Sequence, residues 1–406
     1  MSRHKSQVTM LMIVGLVLFI IVSFVLYLSK SSVKKQSQQT IKKTQETAID
    51  TKPIKEFINK CVDKLAKDAV VLLGKQGGYL YASQGGTLLD YSDTDEGIFF
   101  VKYNGLNVAY NILPPKFAAP PYSSEIPDYP WKAFPYQKPD SNAESFKGFF
   151  GISNLPPLNS SEGPNSIQIQ IETFVDHNIA GCADMKLFTS QGYEIEMGAS
   201  KTYATIGNRN IMVKSEMPVK ITNAGTKETT EMKDFSADIS VNLRNTYFLI
   251  KDLIENDIKD VKFNISNAKD NQGPNIILTR DAFSDDARKI RADLLDVTDE
   301  NSLVYGKPFQ YIFARKNRAP ALYYIKKNIF SFPSGYLINE SSILQKNPLK
   351  AEDPDEDSLA FNIYVGEFGK TIANFPKKLD TPQLKFRVEV SDGQFQDYQM
   401  ITVNRI

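Results

Sequence analysis

An uncharged apolar run near the N-terminus constrains this chain most. Residues 8–28 read VTMLMIVGLVLFIIVSFVLYL and carry no charged side chain. A helix of that length, rising about 1.5 Å per residue, would span the hydrocarbon core of a bilayer, which is about 30 Å thick. The run exceeds the apolar region of a secretory signal, about 7 to 15 residues, and no small-x-small cleavage site follows it. The sequence therefore predicts one transmembrane helix within residues 7–29, with the lipid bilayer as the partner of residues 8–28.

The orientation of this helix depends on more than its flanking charges. Arg3 and Lys5 precede it, whereas five lysines follow it between residues 30 and 43. By charge alone the bulk of the chain would stay inside, but large domains translocate largely regardless of such charges. We expect residues 1–6 to be a cytoplasmic tail and the C-terminal domains to be extracytoplasmic, in a single-pass protein of the cell membrane.

The chain after the membrane helix divides by composition and periodicity. Residues 30–50 are rich in Ser, Gln, Lys and Thr, which favours a solvated stalk. Residues 51–315 mix helical and strand patterns and predict an α+β domain. Apolar residues recur at helical spacing between Thr51 and Gly74, and again in 167–182 and 247–258.

Strand patterns fill much of the rest of this domain. Alternating or apolar segments predict strands at 79–82, 87–91, 98–103, 106–111, 193–197, 201–206, 210–214, 235–243, 276–279, 303–305 and 309–314. Asn104 and Gly105 are a typical two-residue hairpin turn between two of them.

A proline-rich stretch, residues 113–164, interrupts the α+β domain. It holds eleven of the 21 prolines, which predicts a long loop without regular structure. Its aromatic residues Tyr129, Trp131 and Tyr136 have two interpretations. They pin the loop to an apolar surface, or they form a binding surface for a peptide or glycan.

The last segment, residues 316–406, shows no helical period. Leu384, Phe386, Val388 and Val390 alternate, and a second alternating run follows the turn at residues 391–393. This favours two packed sheets. The predicted fold class is thus an α+β ectodomain plus a C-terminal all-β immunoglobulin-like sandwich, preceded by one transmembrane helix.

Composition argues against several function classes. The net charge is +1, which gives no support to nucleic-acid binding. The two histidines are His4 and His177, so a Ser-His-Asp triad would rest on His177 alone, and no glycine-rich phosphate loop is present. We identify no catalytic residue and predict that the chain is not an enzyme, although carboxylate pairs for glycoside hydrolysis stay open.

Two sets of residues are candidate structural or ligand sites. Cys61 and Cys182 both fall on apolar faces of predicted helices, either as a disulfide or as two separate buried thiols. The second set consists of four aspartates, Asp353, Asp355, Asp357 and Asp392. Their carboxylates are either oxygen ligands for calcium or part of solvated acidic turns. Apart from this calcium, no cofactor is predicted.

Three Asn-x-Ser sequons occur, at Asn159, Asn264 and Asn339. They are acceptors for N-linked glycans in an extracytoplasmic protein, and they permit that location without proving it.

The C-terminal stretch resembles a known class of repeat. The segments NRAPAL, KAEDPDEDSLAF and LKFRVEVSDGQFQDYQMITV, between residues 317 and 403, look like the immunoglobulin-like or cadherin-like repeats of prokaryotic surface proteins. Such repeats carry Asp-Pro-Asp-x-Asp before a strand and Val-Ser-Asp-Gly before the last one. Here Glu356 stands where glycine is usual.

The front of the chain is similar to uncharacterised single-pass proteins of small-genome archaea. The similarity lies in SQVTMLMIVGLVLFIIV, IKEFINKCVDKLAKDAVVLLGKQGGYLY and IETFVDHNIAGC. In those proteins the two cysteines recur in the same two helices, which implies the disulfide. Lys5-Ser6 before Gln7-x-Thr9 also resembles an archaeal pilin-type signal, with Leu11 in place of its acidic residue.

These features favour a membrane-anchored cell-surface protein that mediates adhesion or envelope interaction through other surface proteins or glycans. One alternative is a pilin-like subunit of a filament assembled through the N-terminal helix, and a homo-oligomer stays open. A third hypothesis is an ectoenzyme acting on envelope polymers.

Overall fold

The computed structural model of the protein describes most of the chain after its N-terminal segment. The described residues are 50–84, 86, 96–114, 150–266, 276–285, 287, 289–323, 325, 327–344, 348–366 and 371–406. The predicted tail, membrane helix and nearly all of the stalk lie outside them. Among the residues that are described, no helix is long and apolar enough to cross a membrane.

Helices form where apolar residues recur at helical spacing. The described α-helices are α1 (Lys52–Lys75), α2 (Ile167–Cys182), α3 (Lys186–Thr189), α4 (Leu243–Lys259) and α5 (Glu340–Leu344). Ser166 caps α2, because its hydroxyl accepts the Ile169 N–H at 3.3 Å. After α1 the chain turns through Gly77 and Gly78, both with positive φ. The predicted helices at 54–72, 167–182 and 247–258 are confirmed.

Strands make up more of the described chain than helices. They are β1 (Phe100–Tyr103), β2 (Leu106–Leu113), β3 (Ile152–Ser153), β4 (Tyr193–Met197), β5 (Lys201–Ile206), β6 (Ile211–Asn223), β7 (Thr229–Ile239), β8 (Ile276–Asp285), β9 (Ile290–Val304), β10 (Lys307–Lys316), β11 (Ala321–Leu322), β12 (Ile329–Phe332), β13 (Leu337–Ile338), β14 (Ala351–Glu352), β15 (Ala360–Val365), β16 (Lys377–Lys378), β17 (Gln383–Ser391) and β18 (Gln396–Arg405).

The described chain falls into two compact units. The smaller one takes in the described residues up to 57 together with 185–198 and 218–232. In it β4 pairs antiparallel with the end of β6, from Tyr193 opposite Asn223 to Met197 opposite Val219. Phe57 and Phe188 pack edge to face, with ring centroids 5.6 Å apart.

A six-stranded sheet lies at the centre of the larger unit. Its order is β1-β2-β10-β9-β8, with β3 added on β2. The β2–β10 pair is parallel and the neighbouring pairs are antiparallel. Asn104 and Gly105 turn between β1 and β2 with φ of 50° and 78°, as the predicted hairpin requires.

Helix α2 packs on β5 in the larger unit and is tied to it by carboxylates. Asp176 accepts hydrogen bonds from the Thr202 N–H at 3.1 Å and from its hydroxyl at 2.7 Å. Glu172 accepts the Ala204 N–H at 2.8 Å. These bonds fix the helix that carries Cys182.

The C-terminal part of this unit contains one four-stranded sheet, in the order β12-β18-β17-β15. Strand β12 runs parallel to its neighbour β18, so Ile329 lies opposite Thr402. The apolar face of the sheet is covered by Leu322, Ile338 and Ile343, which come from two short two-stranded ladders and from α5.

The predicted fold class is therefore wrong. The structure is a mixed, mostly β arrangement, and a helix and two-residue strands lie where the second sheet of an all-β immunoglobulin-like sandwich was expected. The short α5 turn carries Ile343 into the core, and one turn is too short to produce a visible helical period. No described helix fits the membrane-spanning part of that fold class.

Two local predictions also need correction. Residues 79–82 form an isolated bridge and a 3₁₀ turn (Ala82–Gln84) instead of a strand. The proline-rich loop has regular structure near its end, because β3 pairs with β2 and Ser160–Glu162 is a 3₁₀ turn. The predicted strand at 87–91 lies outside the described residues, and the boundary at 315/316 stays a prediction.

Candidate functional site

Two arginines lie fully buried near the end of the central sheet. Arg315 is the second-last residue of β10 and Arg318 lies just after the end of that strand, and both are 0% exposed. A guanidinium stays protonated in proteins, so a buried arginine needs buried anions. Three aspartates from three different elements supply them.

Arg315 contacts all three carboxylates. Its Nη1 lies 2.7 Å from Oδ1 of Asp257 on α4, and its Nη2 lies 2.6 Å from Oδ2 of Asp293 on β9. Its Nε is 3.2 Å from Oδ1 of Asp355. One side chain thus joins a helix, the sheet and a turn.

Arg318 is held mainly by Asp355. Its backbone N–H donates to Oδ2 at 2.6 Å, and its Nε and Nη2 donate to Oδ1 at 3.0 and 2.8 Å. Nη2 is also 2.8 Å from Oδ2 of Asp257. The remaining donors reach the carbonyls of Phe150 at 2.8 Å and Pro354 at 2.7 Å.

A third arginine extends the group. Arg280 on β8 places its Nε 3.0 Å from Oδ1 of Asp293 and its Nη1 2.6 Å from Oε2 of Glu356. We call the following set the arginine cluster: Arg280, Arg315 and Arg318 with Asp257, Asp293 and Asp355. Each arginine of the set is paired with at least one of its aspartates.

The turn of residues 353–357 presents Asp355 to the cluster. Asp353 Oδ1 accepts the N–H groups of Asp355 at 2.8 Å and Asp357 at 3.0 Å, which closes the turn. Glu356, at the position where the resembling repeats have glycine, adopts φ 63°. The sequence departs from that pattern while the backbone keeps the conformation that glycine favours.

Electrostatics differ between the two kinds of charged group here. Burial lowers the pKa of Arg315 and Arg318, but the neighbouring aspartates outweigh it and the net pKa of each is raised. Burial and the Asp355 charge raise the pKa of Asp353 to about 7 and of Asp357 to about 6. The arginines therefore stay charged while these two carboxyls titrate near neutrality.

The structure brings the four predicted calcium ligands into one region and gives several of their oxygens partners within the protein, although Asp353 Oδ2 is buried without a hydrogen bond to any described residue. Both Asp355 oxygens bind Arg318, and Asp353 Oδ1 binds its own turn. Asp392 Oδ1 accepts two backbone N–H groups, each at 2.6 Å, and its Oδ2 accepts Asn317 Nδ2 at 3.0 Å. Asp357 lines a cleft of about 310 Å³ with Asp293 and Asp355.

Within the described ranges, no three His, Cys, Asp or Glu side chains are arranged to hold a metal ion. The calcium site stays a prediction. The aspartates of the cluster bind arginine side chains of the protein itself, and these ion pairs connect α4, β8, β9, β10 and the 353–357 turn.

The disulfide lies elsewhere in the larger unit. Cys61 of α1 and Cys182 of α2 are bonded, with Cα atoms 5.8 Å apart and a sequence separation of 121. Tyr129, Trp131 and Tyr136 lie outside the described residues, and His177 is exposed on α2.

Of the arginine cluster, sequence reasoning identified Asp355 alone and missed the three arginines, Asp257 and Asp293. One signal for Asp257 is present: it follows Ile250, Leu253 and Ile254 at helical spacing and so stands at a core position of α4. A charge at a core position requires a buried partner, although the sequence does not say which one.

Comparisons with known proteins add little. No protein-family model matches the chain, and no curated protein matches it. Among solved structures, it is similar to Drosophila N-cadherin EC1-4 at 13% identity and a TM-score of 0.18, over 49% of this chain and 59% of that one. It is also similar to Drosophila N-cadherin EC1-3 at 13% identity and a TM-score of 0.17, over 49% of this chain and 78% of that one. Similarity this low shows neither a shared fold nor a shared function.

Proposed function

We propose that this protein is a non-catalytic, extracytoplasmic surface protein that mediates adhesion or envelope interaction. The disulfide between Cys61 and Cys182 is the observation that carries the location, because such bonds persist in oxidising compartments and are rare in the cytosol. The bond joins two long helices of the larger unit, so it is part of the fold's framework and not a surface accessory.

We assign no catalytic role to the arginine cluster. Its guanidinium and carboxylate groups bind one another, and the Arg315 and Arg318 side chains are fully buried. A catalytic base or nucleophile has to reach a substrate, whereas these groups are engaged with partners inside the protein.

Exposed apolar side chains at one edge of the C-terminal sheet support a binding role. Ile329 on edge strand β12 is 60% exposed, and Leu337 on β13 is 53% exposed. Tyr336 stacks on Phe332 with centroids 4.2 Å apart and is itself partly exposed. Aromatic residues are enriched in protein interfaces, and these exposed side chains are the ones that we assign to the binding surface.

The location is tested on intact cells that produce the full chain. Treatment with an impermeant protease should degrade residues 51–406, and alkylation without reductant should label neither cysteine. Full protection from protease, or two labelled cysteines, would overturn the extracytoplasmic location.

The adhesive role is tested by attachment of those cells to one another and to envelope preparations. A Tyr336→Ala, Leu337→Ser variant should reduce attachment several-fold. The matched control is Glu194→Gln, which changes an exposed residue on a different sheet. Attachment that is equal for the variant and the wild type would exclude this surface as the adhesive one.

A further inference from the structure

The three sequons differ in their surroundings. Asn159 donates its amide Nδ2 to Oε1 of Glu162 at 2.8 Å, so its amide is engaged. Asn264 is half-buried and precedes Ile265, which is 0% exposed. All three residues of the third sequon, Asn339-Glu340-Ser341, are exposed.

A glycan is large and hydrophilic, so its asparagine has to lie on the surface of the folded protein. Asn339 meets this condition best, because it stands at the start of α5 with its side chain in solvent. The Ser342 N–H donates to the Asn339 carbonyl at 2.9 Å, so the backbone of Asn339 is part of the first turn of α5.

An apolar cleft lies directly beside this sequon. It has a volume of about 760 Å³, and its lining includes the whole sequon together with Leu344, Leu349, Phe361 and Phe375. The Phe361 residue is 39% exposed, and Phe375 is fixed in place by stacking on Phe386 at 5.6 Å. Aromatic faces beside a polar rim suit the C–H faces of sugar rings, and an exposed apolar surface of this kind otherwise stays in contact with water.

We propose that Asn339 carries an N-linked glycan in the native protein and that this glycan lies across the adjacent cleft. The inference rests on the extracytoplasmic location proposed above. We assign the glycan as the occupant of the cleft because Asn339 belongs to the lining of the cleft, so a sugar attached to its Nδ2 begins at the rim.

The modification is a glycosyl transfer from a lipid-phosphate-linked or lipid-pyrophosphate-linked oligosaccharide. The bond from Asn339 Nδ2 to the anomeric carbon forms, and the bond from that carbon to the phosphate oxygen breaks. The lipid phosphate leaves with the electron pair, and Nδ2 gives one proton to a base of the transferase. Nothing is oxidised or reduced.

The site is tested by mass spectrometry of the full chain purified from its native cells. The peptide containing Asn339 should carry a hexose-containing mass increment, which Asn339→Gln and Ser341→Ala abolish. Ser341→Thr keeps the sequon and should keep the increment, and Asn159→Gln should leave it unchanged.

An unmodified Asn339 peptide in the native protein overturns the proposal. The redox state of Cys61 and Cys182 in the same sample separates the two ideas. If the cysteines are bonded, the glycan proposal alone fails; if they are free thiols, the extracytoplasmic location fails with it.

The position of the glycan is tested by thermal melting. Wild-type protein should melt about 2 to 4 °C above Asn339→Gln, since covering the cleft removes apolar surface from water. In a Phe361→Ser background that difference should vanish. An equal difference in both backgrounds would place the glycan away from the cleft.

Discussion

Arg318 binds both carboxylate oxygens of Asp355. Its backbone N–H donates to Oδ2 at 2.6 Å, and its guanidinium Nη2 donates to Oδ1 at 2.8 Å. Neither group is accessible to solvent to more than a few per cent. Removing one partner from such a pair leaves a buried charge without compensation.

Asp355→Asn should therefore lower the free energy of unfolding by about 3 to 5 kcal/mol. The substitution keeps the size of the side chain and removes the charge that Arg315 and Arg318 share. The measurement is the midpoint of urea unfolding. Asp380→Asn is the matched control, because its exposed pair with Lys378 should contribute little. Equal midpoints for Asp355→Asn and the control would contradict the structural role of the cluster.

A second prediction concerns pH. The folded-state pKa values of Asp353 and Asp357, about 7 and about 6, lie above the ordinary 3.8. The folded chain thus binds more protons than the unfolded chain between about pH 4 and pH 7. The contribution of these two groups stabilises the fold at low pH and is lost as the pH rises through 6 and 7.

Asp353→Asn tests this relationship, because asparagine keeps the acceptor that closes the turn and cannot ionise. The fall in unfolding midpoint between pH 5 and pH 8 should be smaller in the variant than in the wild type. Other titrating groups contribute equally to the pH dependence of both proteins, so the difference between wild type and variant reports on Asp353. An identical pH dependence would show that Asp353 does not titrate in this range.

Two glycines should respond to alanine with opposite signs. A Cβ at Gly105 or at Gly181 would meet nothing within 4 Å, so packing is the same in both cases. Gly105 has φ 78° in the β1–β2 turn, where alanine is strained by about 1 kcal/mol. Gly181 lies in α2, where alanine should stabilise the fold by about 0.5 to 1 kcal/mol. Unfolding in guanidinium chloride measures the change in the free energy of unfolding for each variant. Changes of the same sign in both variants would contradict the prediction.

The disulfide should contribute about 4 to 5 kcal/mol to the free energy of unfolding in the entropic account of so long a loop. The Cys61→Ala, Cys182→Ala double variant and reduced wild type should unfold at similar denaturant concentrations, both below the oxidised protein. If reduction leaves the midpoint unchanged, the bond does not constrain the unfolded chain.

Local signals predicted the helices and hairpins well. Helix α4 follows from the spacing of Ile250, Leu253 and Ile254, and the β1–β2 turn follows from Asn104 and Gly105. Such features depend on residues a few positions apart, which the sequence places next to each other.

The site depends on residues far apart in sequence. The spacing of Asp-Pro-Asp predicts clustered carboxylates, either as calcium ligands or as a solvated turn, but it does not identify a cation of the protein that binds Asp355. That cation is an arginine 37 residues earlier, and Asp257 lies 58 residues from Arg315. Since pairing across such distances follows from the fold, no local pattern shows it. The C-terminal core was mispredicted for a related reason, because Ile338 and Ile343 come from elements too short to show a period.

Cys61 and Cys182 are 121 positions apart in sequence, and the proline-rich stretch, residues 113–164, lies between them. A single backbone cut anywhere between the two cysteines leaves two fragments that stay covalently joined until a reductant is added. The protein can therefore be nicked without shedding either fragment, and a nick would show only as two bands on a reducing gel where the non-reducing gel shows one.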